Sequence, residues 1–169
     1  MGGRLWNRLA VGKSIGDVCG RMKEIRTEIE IAASEEDIWR TLINTADFPD
    51  WNPFIRRVSG VPHRGARLSV TLRLPGVRRV TFRPVVTAEQ PKRELTWIGA
   101  FLLPGLLDVQ HRFSIVPLGY NHMLFSQHIV LAGLLVSLLG KRYVEPMRRG
   151  AVDMDAAIKA RVERRGPDR

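Results

Sequence analysis

Between residues 54 and 130 the apolar side chains recur at every second position, and proline and glycine interrupt the runs; beyond residue 140 the spacing changes to three and four. That change of period constrains the fold more than any other feature of the chain. Leu68, Val70, Leu72 and Leu74 alternate with Arg67, Ser69, Thr71 and Arg73, and Pro75-Gly76 follows. Val80, Phe82 and Val86 share a face with Thr81 and Arg83 on the other side, and Leu95, Trp97 and Phe101 make the next inner face. After Pro104-Gly105 come Val109, His111, Phe113 and Ile115, then Gly119, then Met123, Phe125, Gln127 and Ile129. Period two with short turns specifies half-buried strands joined as an antiparallel meander. Tyr143, Met147, Ala151, Met154, Ile158 and Val162 draw one stripe along a long final helix. A sheet with one apolar face needs a cover, and that helix is the only element long enough to provide it. Pro146 either starts this helix or kinks it.

Upstream, Ile25, Thr27, Ile29 and Ile31 alternate with Arg26, Glu28 and Glu30 as a first strand. Ser34 before Glu35, Glu36 and Asp37 is an N-cap signature, and Ile38, Trp39, Leu42 and Ile43 stripe the short helix behind it. Phe48-Pro49-Asp50-Trp51-Asn52-Pro53 then breaks the helix into a turn-rich corner. The fold class is therefore α+β, an antiparallel sheet of about six to seven strands around a long C-terminal helix. The domain runs over 22–165, with a glycine-rich flexible extension over 1–21 and a short tail over 166–169. Met22, directly before the first strand, offers an alternative start, and Arg4, Arg8 and Lys13 leave a transit peptide in 1–21 open.

Composition removes several function classes. The 169 residues include one cysteine, Cys19, which excludes a disulfide framework or a cysteine-rich zinc module. His63, His111, His122 and His128 lack metal-ligand spacing, no phosphate-binding glycine loop or nucleophile elbow is present, and neither metal nor cofactor is expected. No stretch reaches the roughly 18 apolar residues of a membrane span, and a cytoplasmic protein is expected. The formal net charge is +10, and between Asp50 and Glu89 there is no acid while Arg56, Arg57, Arg64, Arg67, Arg73, Arg78, Arg79 and Arg83 all occur. Without a nucleic-acid motif this run reads as a solvated sheet face, and no nucleic-acid partner is expected.

Several local patterns resemble the START-like, or polyketide cyclase/dehydrase-like (SRPBCC), superfamily. They are Ile38-Trp39, the corner Asp50-Trp51-Asn52-Pro53-Phe54-Ile55, Glu94-Leu95-Thr96-Trp97, Pro104-Gly105, Asp108, His111-Arg112-Phe113, Gly133-Leu134-Leu135 and Arg148-Arg149-Gly150. The resemblance spans Met22 to about Arg165. It implies a helix-grip fold, a sheet curled around the last helix with a cavity between them for an apolar ligand. Relatives often carry an acid shortly before the Gly-Leu-Leu, where this chain has Gln127, His128, Ile129 and Val130. The superfamily includes lipid carriers and aromatase/cyclases, so the site must be argued separately from the fold.

The hairpin is the most specific place to look. A turn centred on Gly119 sets Ile115 opposite Met123, Phe113 opposite Phe125, His111 opposite Gln127 and Val109 opposite Ile129. His111 and Gln127 are then adjacent polar groups on an apolar inner surface, bonded to each other, to a water or to a ligand, with Arg112 pointing outward and no carboxylate of the inner faces near. Trp39, Leu72, Phe82, Trp97, Phe113, Phe125 and Tyr143 fall on stripes that converge there as the cavity lining. Trp51 reads as core or wall, and Tyr143 either offers its hydroxyl to the cavity or packs with an exposed tip.

The expected function is non-catalytic binding of a small hydrophobic or lipid-like ligand. The alternatives are a cyclase/dehydratase-type enzyme on an aromatic or polyketide-like substrate, with His111 as acid or base, and a peripheral lipid carrier. The apolar loop Phe101–Leu107 packs on the final helix, covers the cavity mouth or touches membrane transiently, the last being in keeping with the arginine run.

Overall fold

The computed structural model describes residues 22–76, 79–101 and 103–165. The extension over 1–21 with Cys19, Arg78 of the arginine run, Leu102 of the apolar loop and the tail 166–169 lie outside the described residues.

The chain begins with β1 (Met22–Ile31), then α1 (Glu35–Ile43), a 3-10 turn (Thr45–Asp47) and the short helix α2 (Phe48–Trp51). Seven strands follow: β2 (Ile55–Ser59), β3 (Ser69–Leu72), β4 (Val80–Phe82), β5 (Val85–Gln90), β6 (Glu94–Ala100), β7 (Asp108–Gly119) and β8 (His122–Ala132). The final helix α3 spans Val136–Arg165. Strand order is β1-β8-β7-β6-β5 in one antiparallel sheet and β2-β3-β4 in a second. The two are joined through Arg67, which bridges Val85, and through backbone bonds from Leu68 to Pro84 and from Val86 to Ala66. The α+β arrangement expected from the change of period is thus present, with one strand more than expected. The reason is local: Arg83-Pro84 interrupts the run 80–86, and proline has no amide hydrogen to give the ladder.

Ser34 caps α1 as its sequence suggests, its hydroxyl accepting from the Asp37 amide at 3.1 Å. The corner after α2 is built by Asn52, whose buried side-chain oxygen accepts from the amides of Phe54 (3.0 Å) and Ile55 (2.8 Å). That turn aims Phe54 into the core and starts β2. Arg161 of α3 binds Asp47 at 2.7 Å with its guanidinium 6.0 Å from the Trp51 ring centre, tying the last helix to the corner. Near its end α3 also holds the edge strand, through Lys159 to the Glu30 carbonyl and Glu163 to the Ala32 amide.

Of the two alternatives for Pro146 the first is removed: it lies inside α3, which starts ten residues earlier at Val136. One reading needs correction. The β7–β8 register is shifted by two from the expected one: His111 pairs with Ile129, Phe113 with Gln127, Ile115 with Phe125 and Pro117 with Met123. The turn is centred on Tyr120 and Asn121 rather than on Gly119, which pairs with His122, and Asn121 takes the left-handed position at φ 47°. An even shift leaves every side chain on its expected face.

The core is one cluster from both sheets and all three helices, including Trp39, Phe54, Leu72, Phe82, Trp97, Phe113, Phe125, Met147, Ala151, Met154 and Ile158. No helix among the described residues is long and apolar enough to cross a membrane. Gly150 marks the closest approach of α3, because a methyl group there would collide with the buried ring of Phe54. Gly150→Ala is therefore expected to destabilise, by roughly 1–3 kcal/mol of overpacking, lowering the melting temperature by about 2–4 °C per kcal/mol. A rise in melting temperature, the propensity gain of about 1 kcal/mol at an uncrowded helix position, would show that α3 does not press on Phe54.

Candidate functional site

The interior of the larger sheet carries a polar chain within an apolar cluster. His111 is 3% exposed and Gln127 1% exposed, both on the side that faces α3. The His111 Nε2 and Gln127 Oε1 atoms are 2.9 Å apart. They meet diagonally across β7 and β8, which long side chains can do on one face of a sheet. The amide nitrogen of Gln127 donates onward to α3, to the Ala151 carbonyl at 3.0 Å and to Asp155 Oδ1 at 2.6 Å. With both acceptors on its nitrogen side, the Gln127 amide has one orientation, and its oxygen can only accept from His111. The network therefore assigns the imidazole proton to Nε2 and leaves Nδ1 as the acceptor of the ring.

Asp155 corrects the expectation that no carboxylate stands near His111 on the inner faces. The carboxylate comes from the helix, reaching His111 through Gln127. It flanks the apolar stripe beside Met154, one turn after Ala151, and a reading restricted to the sheet could not find it. Thr27, on the inner face of β1, pairs with Gln127. Its hydroxyl faces the same carboxyl without closing a bond of normal geometry. Burial pushes the Asp155 carboxyl above the usual range, opposed by Thr27 and Gln127.

Around His111 the environment is aromatic. Its ring lies 4.0 Å from that of Phe113, 5.7 Å edge-on from Trp97 and 6.3 Å from Phe54. Trp97 also meets Phe113 at 5.1 Å, and Phe113 stacks toward Phe125 at 6.3 Å. The Trp97 indole N–H is buried without a partner. Burial pulls the His111 pKa down to about 3, with the Gln127 bond opposing and His128 adding to the fall. His111 is thus neutral across the physiological range. It can accept or orient; it cannot deliver a proton at neutral pH.

Of the sequence-derived residues, Trp97, His111, Phe113, Phe125 and Gln127 form this contiguous set. Trp39 and Leu72 are buried in the same core cluster, and Phe82 pairs with Phe101 at 4.7 Å. Tyr143, at 37% exposure, sits outside the buried cluster. Arg112 points outward as expected, paired with Glu94 at 2.6 Å. The apolar loop is pinned to the start of α3 by bonds from Leu134 to Gly105 (3.1 Å) and Leu135 to Leu106 (2.9 Å). Gly133, at φ +123°, permits that contact, since a methyl group there would meet the Leu106 carbonyl oxygen at 2.6 Å. Phe101 and Leu107 pack on the core while Leu103 is exposed.

The model of the "Polyketide cyclase / dehydrase and lipid transport" family matches residues 22–163. The chain belongs to that family. Its fold is that of a START superfamily protein from Mycobacterium smegmatis, at 22% identity and TM-score 0.66 over 83% of this chain and 97% of the other. The Zhui aromatase/cyclase from Streptomyces sp. R1128 is similar at 14% identity and TM-score 0.69, covering 88% of this family member and 100% of the cyclase. Norcoclaurine synthase from Thalictrum flavum, in complex with dopamine and hydroxybenzaldehyde, is similar at 19% identity and TM-score 0.67, over 93% and 96%. No curated protein sequence matches the chain. At these identities the likeness establishes the helix-grip fold alone.

A histidine whose pKa falls from 6.5 to about 3 on folding takes up fewer protons folded than unfolded between those values. Its contribution is therefore present above pH 6.5 and is lost as pH drops toward 3, about 2 kcal/mol of it between pH 7 and pH 5. Urea unfolding of the native protein and of His111→Gln at both pH values checks this. The variant is expected to lose less stability on acidification; an equal loss in both would place His111 in contact with water.

Proposed function

We propose that this protein binds a small hydrophobic or lipid-like molecule between the sheet and α3 without transforming it. The observation that carries the reading is His111: buried, neutral and held in one tautomer by Gln127, it presents a single hydrogen-bonding point among aromatic rings. A few fixed polar groups in an apolar enclosure are what recognition of such a ligand requires. Trp39, Leu72, Phe82, Trp97, Phe113 and Phe125 supply apolar wall, Tyr143 stands at the rim, and the unpartnered Trp97 N–H adds a second polar group to the ring cluster around His111. A ligand with one hydroxyl or phenol on an otherwise apolar frame satisfies both. The family's description as lipid transport supports the same class.

A cyclase- or dehydratase-type enzyme is the second reading, and one observation favours it: Asp155 behind Gln127 gives His111 a carboxylate-ended chain. General acid–base work near neutrality needs a histidine that titrates there, which burial denies His111.

Native mass spectrometry of protein purified from cells, with Nile red binding as a second readout, tests the proposal. A co-purified apolar adduct released on denaturation is expected, and Nile red fluorescence should rise on binding and fall as that molecule is added back. A bare mass together with no Nile red binding would overturn it. Once the ligand is known, His111→Gln is expected to change its affinity by about 2- to 10-fold, one neutral hydrogen bond. A loss of roughly 10²- to 10⁴-fold in turnover of that molecule, with binding retained, would establish the enzyme instead.

A further inference from the structure

A concavity lies away from this interior. It has a volume of about 480 Å³ and is lined by Ser59, Gly60, Arg67, Leu68, Ser69, Arg83, Val85, Ala100 and Pro104. Strand register explains why these residues meet. Ser59 pairs with Ser69 across β2 and β3, and Val70 pairs with Phe82 across β3 and β4. The Arg67–Val85 bridge continues that same register, so Ser69 stands opposite Arg83. Odd-numbered positions of this ribbon therefore share the outward face, opposite the buried Leu68, Val70 and Phe82. Arg67 and Arg83 are diagonal neighbours on it, flanking the Ser59–Ser69 pair, and Pro104 of the apolar loop borders the hollow.

Two guanidinium groups on adjacent strands repel each other unless a carboxylate lies between them. None does. Every ion pair among the described residues lies outside the acid-free run between Asp50 and Glu89, and the lining of the hollow holds no acid. The side chains that line it with polar atoms are guanidiniums, which only donate, and hydroxyls, which can donate. A group that only accepts, carries negative charge and offers several oxygens matches such a lining; arginine forks suit phosphate in this way.

We infer that the hollow bounded by Ser59, Arg67, Ser69 and Arg83 is a binding site for a phosphate group. The phosphate belongs either to a soluble phosphate ester or to the headgroup of an anionic lipid. The exposed Leu103 one residue from Pro104 would reach the apolar part of such a lipid. This site does not depend on the interior ligand, and its test stands apart from that reading.

Titration of the isotope-labelled full chain with inorganic phosphate at constant ionic strength, followed by amide shifts, is the direct experiment. Saturable shifts are expected at Ser59, Gly60 and Ser69. The double variant Arg67→Gln/Arg83→Gln should weaken binding roughly tenfold or more while keeping the remaining spectrum. The charge-matched Arg148→Gln/Arg149→Gln on α3 should leave binding unchanged. Non-saturating shifts, or equal weakening in both double variants, would overturn the site. Sedimentation with phosphatidylcholine vesicles, with and without phosphatidylglycerol, then separates the sources. Retention on the anionic vesicles that the Arg67/Arg83 variant abolishes assigns the lipid headgroup; phosphate binding without retention assigns a soluble ester.

Discussion

The side chain of Gln127 holds the two layers of this molecule together where neither could bind the other through backbone. Its two donors end on α3, at the Ala151 carbonyl and at Asp155, and its acceptor receives the imidazole of His111. A buried amide left unpaired costs on the order of 1–3 kcal/mol, so the network has to be complete. That requirement sets where α3 lies along the sheet. A shift of one turn would break both bonds from the Gln127 nitrogen to the helix, leaving Asp155 and that nitrogen without these partners in an apolar interior.

The remaining contacts are consistent with that placement. Gly150 brings the helix backbone against Phe54, and Asn52 fixes Phe54 by capping the corner from which it emerges. Arg161 then ties the same corner to the helix further along. The aromatic rings of Trp97, Phe113 and Phe125 fill the space around the polar chain. That interior is apolar in bulk and polar at one fixed point, and the proposed binding of a mostly apolar molecule with one polar group rests on this arrangement.

Period carried most of the architecture in the sequence. Alternation over Leu68–Leu74 and Val109–Ile115, and the stripe Met147–Val162, identified the sheet, its inner face and its cover. The parity of the hairpin placed His111 and Gln127 on one face even though the pairing partners lie two residues away. The turn position itself was not legible, because Asn121 rather than Gly119 adopts the left-handed conformation. Asp155 was not legible either. It lies beside the apolar stripe, where acids are ordinarily solvated, and only the packing of α3 on β8 turns it inward. Thr27 was readable as the one hydroxyl on the inner face of β1, but the carboxyl that its hydroxyl faces belongs to another element. The starting point of α3 was not legible either, because proline is compatible with a first turn and with an interior position, and here the helix continues on both sides of Pro146.

The account depends on His111 being neutral, protonated on Nε2 and bonded to Gln127. Long-range nitrogen–proton correlation spectra of the imidazole, recorded from pH 7 to pH 5, measure all three properties on one residue. The expected spectrum holds the Nε2–H tautomer unchanged through that range, and Gln127→Leu removes its fixed tautomer. An imidazole that titrates near 6.5, or that carries its proton on Nδ1, would contradict the account.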